Sequence, residues 1–234
     1  MAIYVIGDLH LSFGVNKPMN IFGEKWEKHA EKIKLNWLEK VKENDTVILP
    51  GDFSWATYLE EAERDFEYLN KLTGTKILSK GNHDYWWTTL ANMRKFLKEN
   101  NFSNIDFLYN NSFCIEDKII VGTRGWVTNP KSEENYKILK RENDRLKISL
   151  ESGIKNFGTD KEIIAFIHYP PFYKEMVPDE INFRKTLEQY NVKRCIYAHL
   201  HAESHKDAIE GIFNGISYKL ASSDYLNFDL LKLN

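Results

Sequence analysis

Five apolar runs in this 234-residue sequence end in side chains that can hold a divalent ion. Ile3–Ile6 leads through Gly7 to Asp8 and His10, and Val47–Pro50 leads through Gly51 to Asp52. Ile77–Lys80 leads through Gly81 to Asn82, His83 and Asp84; Ile163–Ile167 ends at His168; Cys195–Ala198 ends at His199 and His201. Carboxylate, amide oxygen and imidazole in one set suit borderline ions such as manganese, iron or zinc, and argue against a calcium or thiolate site. The ligands Asp8, His10, Asp52, Asn82, His168, His199 and His201 outnumber what a single centre with open positions uses, so two ions are expected. Residues two apart in an extended segment point the same way, so Asp8 with His10, and His199 with His201, are each expected to converge. The glycines at 7, 51 and 81 permit tight backbone paths just before the ligands.

Each fragment has a plain structural alternative. An Asp-x-His at a strand end can be a hydrogen-bonded turn, Asn82 and Asp84 can be turn and N-cap residues, and His168 can be a buried histidine satisfied by backbone. Together the fragments use five of the seven histidines, counting His83, and recur in one structural position. That recurrence favours a site over a set of coincidences.

The elements that must position these residues are legible from periodicity. Ile3–Ile6, Thr46–Leu49 and Lys76–Leu78 read as strands. They alternate with helices carrying Trp26, Ala30, Ile33, Trp37 and Val41, then Leu59, Ala62, Phe66 and Leu69, then Trp86, Leu90, Met93 and Leu97 on one face. Such alternation predicts a parallel sheet with helices over it, and in open α/β sheets ligands collect at the carboxyl ends of the strands. From Phe107 to Val121 short strands with turns at Asn110–Asn111 and Glu116–Asp117 suggest a hairpin. A charged helix follows over about Ser132–Ser152, with Tyr136, Leu139, Leu146 and Leu150 near one stripe. Ile163–Ile167 and Cys195–Ala198 read as buried strands separated by a short helix near Ile181–Tyr190, and the tail from Lys206 to Leu233 as further strands. The order suggests two stacked sheets with helices outside, in a single domain spanning residues 1–234.

Composition narrows the function classes. A formal net charge of −2 supplies no field to concentrate long nucleic acid or an anionic membrane, so any phosphate must be gripped locally. The two cysteines, Cys114 and Cys195, lie far apart without metal-binding spacing and read as free thiols of a reducing compartment. The N-terminal run is too short for a signal-peptide core, and no apolar run approaches the roughly 20 residues of a membrane span, so a cytoplasmic protein is expected.

With D-x-H at Asp8–His10, G-D at Gly51–Asp52, G-N-H-D at Gly81–Asp84, a single His168, and His199-x-His201, the sequence resembles the calcineurin-like metallophosphoesterase superfamily from residue 8 to residue 201. The resemblance implies an α/β fold, a four-layer α-β-β-α sandwich of two stacked mixed sheets flanked by helices. It implies two divalent ions, one held by Asp8, His10 and His201, the other by Asn82, His168 and His199, with Asp52 bridging. Two departures stand out. Ala198 replaces the usual glycine, and Gly51–Trp55 lacks the Asp and Arg that follow in protein Ser/Thr phosphatases, which disfavours a phosphoprotein substrate.

The expected chemistry is hydrolysis of a phosphomonoester or phosphodiester by metal-activated hydroxide. His83 is expected to protonate the leaving oxygen as general acid, and Asp84 to orient His83 or to cap the following helix. Arg124, between Gly122 and Gly125, is placed either to grip phosphate oxygens or as a solvated loop residue. Trp55, Trp86, Trp87 and Trp126 lie near the motif loops and offer an aromatic wall, although Trp86 suits core packing better. The expected partner is a small phosphorylated substrate. Two other readings are a non-catalytic metal-binding scaffold of the same fold, which would have no need of His83, and a nuclease, which the missing basic stripe disfavours.

Overall fold

Strand β1 (Ile3–Val5) pairs in parallel with β2 (Thr46–Pro50), β2 with β3 (Thr75–Ser79), and β3 with β4 (Ile105–Phe107). The C-terminal β11 (Leu231–Leu233) closes the other edge antiparallel to β1. Apart from Thr75, the residues of β2 and β3 are all buried, as expected of parallel strands covered on both faces. Helices α1 (His29–Lys40), α2 (Glu63–Asn70) and α3 (Leu90–Glu99) connect these strands and bury Ile33 and Trp37, Phe66 and Leu69, and Met93 and Leu97 respectively. The computed structural model describes residues 1–173 and 183–233.

This five-stranded sheet and its helices make one compact unit, Met1–Phe107 with Ala221–Asn234; Leu108–Leu220 make a second. The second unit is a six-stranded sheet. Its interior is parallel: β6 (Lys118–Thr123), β7 (Glu162–Ile167), β8 (Arg194–Tyr197) and β10 (Ile216–Leu220) pair in that order. Both edges, β5 (Phe113–Ile115) and β9 (Gly211–Phe213), are antiparallel. Helix α4 (Glu133–Phe157) packs Leu139, Leu146 and Leu150 into the core formed with Ile119, Val121 and Ala165. A side chain at Gly153 would meet Ile119 at 2.6 Å, so the helix approaches β6 closely there. The fold class is therefore α/β, with two mixed sheets flanked by helices.

Several elements differ from expectation for local reasons. Trp86 lies ahead of α3, whose N-cap is Thr89, its side chain accepting from the Asn92 amide. Asp84 is thus not a helix cap. The helix through Trp26 begins only at His29, after short 3-10 turns. Helix α4 runs to Phe157, past Ser152, and Tyr136 is 41% exposed, outside the buried stripe. The Glu116–Asp117 turn does close a hairpin, between β5 and β6, whereas Asn110–Asn111 link the two sheets. The short helix after β7 is α5 (Phe183–Gln189); Ile181 falls outside the described residues.

Candidate metal centre

In the first unit Asp8, Asp52 and Asn82 follow the carboxyl ends of three adjacent parallel strands, whose register aligns Val5 with Ile48 and Ile48 with Ile77. Backbone pairing continues beyond the strands. The Asp8 amide donates to the Gly51 carbonyl (3.0 Å), the His10 amide to the Asp52 carbonyl (3.0 Å), and the Leu11 amide to Phe53 (3.0 Å). Asp8 and His10 are not extended, as their two-residue spacing suggested. Their φ values are 55° and 47°, and Asp52 sits at 52°. This left-handed region disfavours side-chain-bearing residues, and its use three times at candidate ligands marks a backbone held in place by its surroundings.

Much of that holding is reciprocal between two loops. The Asp52 carboxylate accepts from the His83 amide (2.8 Å) and faces the Asn82 amide. The Asp84 carboxylate accepts from the amides of Asp52 (2.9 Å), Phe53 (2.9 Å), Ser54 (3.3 Å) and Gly81 (2.7 Å), and from the Trp86 indole (3.0 Å). Asp84 is therefore a positioning residue for the Asp52 loop, its oxygens committed to backbone amides and the indole. Gly81 is required by proximity, because a Cβ there would lie 2.0 Å from Asp52 Oδ1 and 2.3 Å from the Asp52 nitrogen. A second carboxylate, buried Asp65 on α2, accepts from the Ser54 hydroxyl and the Phe13 amide and braces the same loop. Burial pushes its pKa up to about 6.

Asp8, His10 and Asp52 are almost wholly buried, and His10 Nε2 lies 3.8 Å from Asp52 Oδ2. Burial, and after it the neighbouring Asp84 and Asp8 carboxylates, push the Asp52 pKa well above the ordinary carboxylate range. A buried cluster of like charges is stable only when protonated or neutralised by a cation, and the donor set of carboxylates with imidazole fits a divalent ion. His83 stands beside this cluster. Its ring centroid is 5.8 Å from that of His10 and 4.5 Å from that of Trp55. Trp55 also stacks on His10 at 4.8 Å, and Lys17 Nζ lies over the Trp55 ring at 4.3 Å.

In the second unit His168 directly follows β7, and the Ala198 amide donates to its carbonyl (3.1 Å). Buried Ala198 thus takes the place of the usual glycine within this backbone bond. His199 bends out of β8 with φ 76°, bringing its Nδ1 to 3.2 Å from His168 Nε2. Two imidazole nitrogens this close share a proton or face a common cation. The Tyr169 ring packs on His199 at 4.1 Å. His201 is extended, and its amide donates to the Ser204 hydroxyl (2.8 Å). Asp8, His10, Asp52, His168 and His201 each offer a ligand atom of the type that holds a metal ion.

Arg124 has a partner of its own. Its Nη2 pairs with Glu142 Oε1 at 3.2 Å, and its guanidinium lies over the Trp126 ring at 4.5 Å. Thr123 donates to the other Glu142 oxygen at 2.8 Å, so the group ties the end of β6 to α4. Trp86 is in the core, edge-on to Phe66 at 5.2 Å. Sequence reasoning passed over Asp65 and Glu142, although each is an acidic residue on an apolar helix face. It also left Trp55 as one tryptophan among four.

The sequence profile described as Calcineurin-like phosphoesterase matches residues 1–203. No curated protein matches the chain. Among solved structures, the protein of unknown function AQ665 from Aquifex aeolicus is similar at 18% identity and TM-score 0.52, over 99% of this chain and 95% of that one. Phosphopantetheinyl hydrolase from Mycobacterium tuberculosis is similar at 13% identity and TM-score 0.57, again over 99% and 95%. TT1561 from Thermus thermophilus is similar at 13% identity and TM-score 0.55, over 100% and 98%. At these identities the likeness is one of fold.

Proposed function

The chain belongs to the calcineurin-like phosphoesterase family, and from that membership we propose that it hydrolyses a small phosphomonoester or phosphodiester at a pair of divalent ions. Membership makes it a metal-dependent phosphohydrolase; the ester class and the residue roles are our reading. In that reading Asp8, His10 and His201 would hold one ion, Asn82, His168 and His199 the other, and Asp52 would serve both. Manganese, iron and zinc suit the donors. The observation that carries the reading is Asp52, a buried carboxylate on a left-handed backbone, crowded by Asp8 and Asp84 and fixed by the His83 amide. The proposal treats residues 1–234 as one domain, since the family match crosses from one unit to the other and the first unit is built from both ends of the chain.

Two bound ions in such a site polarise the phosphoryl group and lower the pKa of a water toward neutrality. The chain's own residues do the rest. Asp52 is oriented by amides from the neighbouring loop, and Asp84, on that neighbouring loop, holds the path of the Asp52 loop. His83, adjacent to Asn82 and steadied by Trp55, delivers an imidazole proton to the departing ester oxygen.

Assays of alkyl and p-nitrophenyl phosphate mono- and diesters with added Mn²⁺, Fe²⁺ or Zn²⁺ test this. Asp52→Asn is expected to abolish turnover together with metal retention. His83→Ala is expected to keep the metal and lose about 100-fold in kcat on an alkyl ester, and much less on a p-nitrophenyl ester, whose leaving group needs no proton. Absence of turnover by the intact protein with every metal would overturn the catalytic reading and leave the scaffold. Equal losses on both esters would remove His83 as the acid.

A further inference from the structure

Beside the His83 loop, within the first unit, lies a groove of about 650 Å³ that the mechanism does not use. Its floor is Trp86 and Trp87, fixed in the aromatic cluster with Phe66 and Phe107. Its walls include Tyr58 and Tyr85, which are 65% and 61% exposed and rank among the largest exposed apolar side chains of the chain. The groove adjoins the candidate centre through two contacts. The Tyr85 ring stands edge-on to His83 at 6.2 Å, and the Trp86 indole donates to Asp84, the carboxylate that holds the Asp52 loop. Tyr85 is thus the lining residue whose ring meets that of His83.

We propose that the groove is the leaving-group subsite and that it takes a planar, uncharged heteroaromatic ring of the nucleobase kind, carried on the alcohol side of the ester. The inference rests on the phosphoesterase reading above and adds a substrate class to it. Exposed tyrosine rings flanking a rigid indole floor offer faces for stacking, which every aromatic ring can use. Asn92, in the lining, brings an amide able both to donate and to accept, as the edge of a heterocycle requires. The charged lining residues are Glu60, Lys95 and Glu99, with Lys95 Nζ 3.6 Å from Glu99 Oε1. Their balance is one net negative charge, which disfavours a second phosphate here and favours a neutral ring.

The test compares kcat/KM for adenosine 5′-monophosphate and glycerol 3-phosphate in the intact protein, in Tyr58→Ala with Tyr85→Ala, and in the two Tyr→Phe variants. The intact protein should prefer the nucleotide by about tenfold, the alanine variants should lose that preference, and the phenylalanine variants should keep it. Both tyrosines are exposed, so truncation leaves the core in place. Free adenosine binding to metal-free protein, read by tryptophan fluorescence, gives a second measurement that needs no turnover. Turnover of both esters with no preference, or a preference unmoved by the alanine variants, overturns the subsite while the phosphoesterase reading stands. Adenosine binding that weakens in the alanine variants, without turnover of any ester, upholds the ring site and counts against the phosphoesterase reading.

Discussion

Asp84 has the ordinary look of a turn residue, yet its two oxygens accept five hydrogen bonds, three from a loop some thirty positions away, one from the Gly81 amide and one from the Trp86 indole. Asp84→Asn replaces an acceptor with a donor facing amide donors, and buried donors left without acceptors cost roughly 3 kcal/mol in total. Chemical denaturation should show that loss, with reduced metal affinity because the Asp52 loop is no longer held. Gly81→Ala should act more sharply on the metal than on the fold. Its added carbon would sit against the Asp52 carboxylate and amide, so metal retention after dialysis is expected to fall to background. The candidate ligands were readable in the sequence because carboxylate, amide and imidazole recur just past five apolar runs, although each fragment alone has an ordinary structural use. Their left-handed backbone was not readable, since Asp8, His10, Asp52 and His199 carry no glycine to announce it. Nor was Asp84's role, because its partners are backbone amides that carry no residue identity.

Helices and strands were legible wherever an apolar stripe ran uninterrupted, as in α1, α2 and α3. The start of α3 was misplaced because Trp86 falls in phase with Leu90, Met93 and Leu97, while the stretch before Thr89 is occupied by the Asp84 clasp. Thr89→Ala should destabilise the chain by about 1 kcal/mol, the usual cost of losing an N-cap, without moving metal affinity. Asp65 shows what an acidic residue on an apolar helix face can mean, since it links α2 to Ser54 and Phe13. Its folded pKa of about 6 exceeds the ordinary 3.8, so the folded state retains the proton longer than the unfolded chain. Stability therefore falls as pH rises from about 4 to about 6 and is level above that, as far as this group is concerned. Asp65→Asn should remove that part of the slope, measured as denaturation midpoints across the same pH range; an unchanged slope would assign it to other groups.

At the scale of the molecule, the family match and the two mixed sheets agree on a metal-dependent phosphoesterase. Among the described residues, no helix is long and apolar enough to cross a membrane. Removing the metal should lower the melting temperature, because it leaves the buried Asp8, Asp52 and Asp84 without a counter-charge. A ligand at about 100 times its Kd stabilises by about 2.7 kcal/mol, which for a chain of this length corresponds to roughly 5 to 10 °C. Re-addition of Mn²⁺ should restore the original value. The central claim is that two ions act together at one phosphate. It is tested most directly by titrating metal-free protein with Mn²⁺ while following phosphate release from a monoester or diester. The account predicts little turnover at the first equivalent and full turnover only as the second binds, with none in Asp52→Asn. Full activity at one equivalent, or no activity at any, would contradict it.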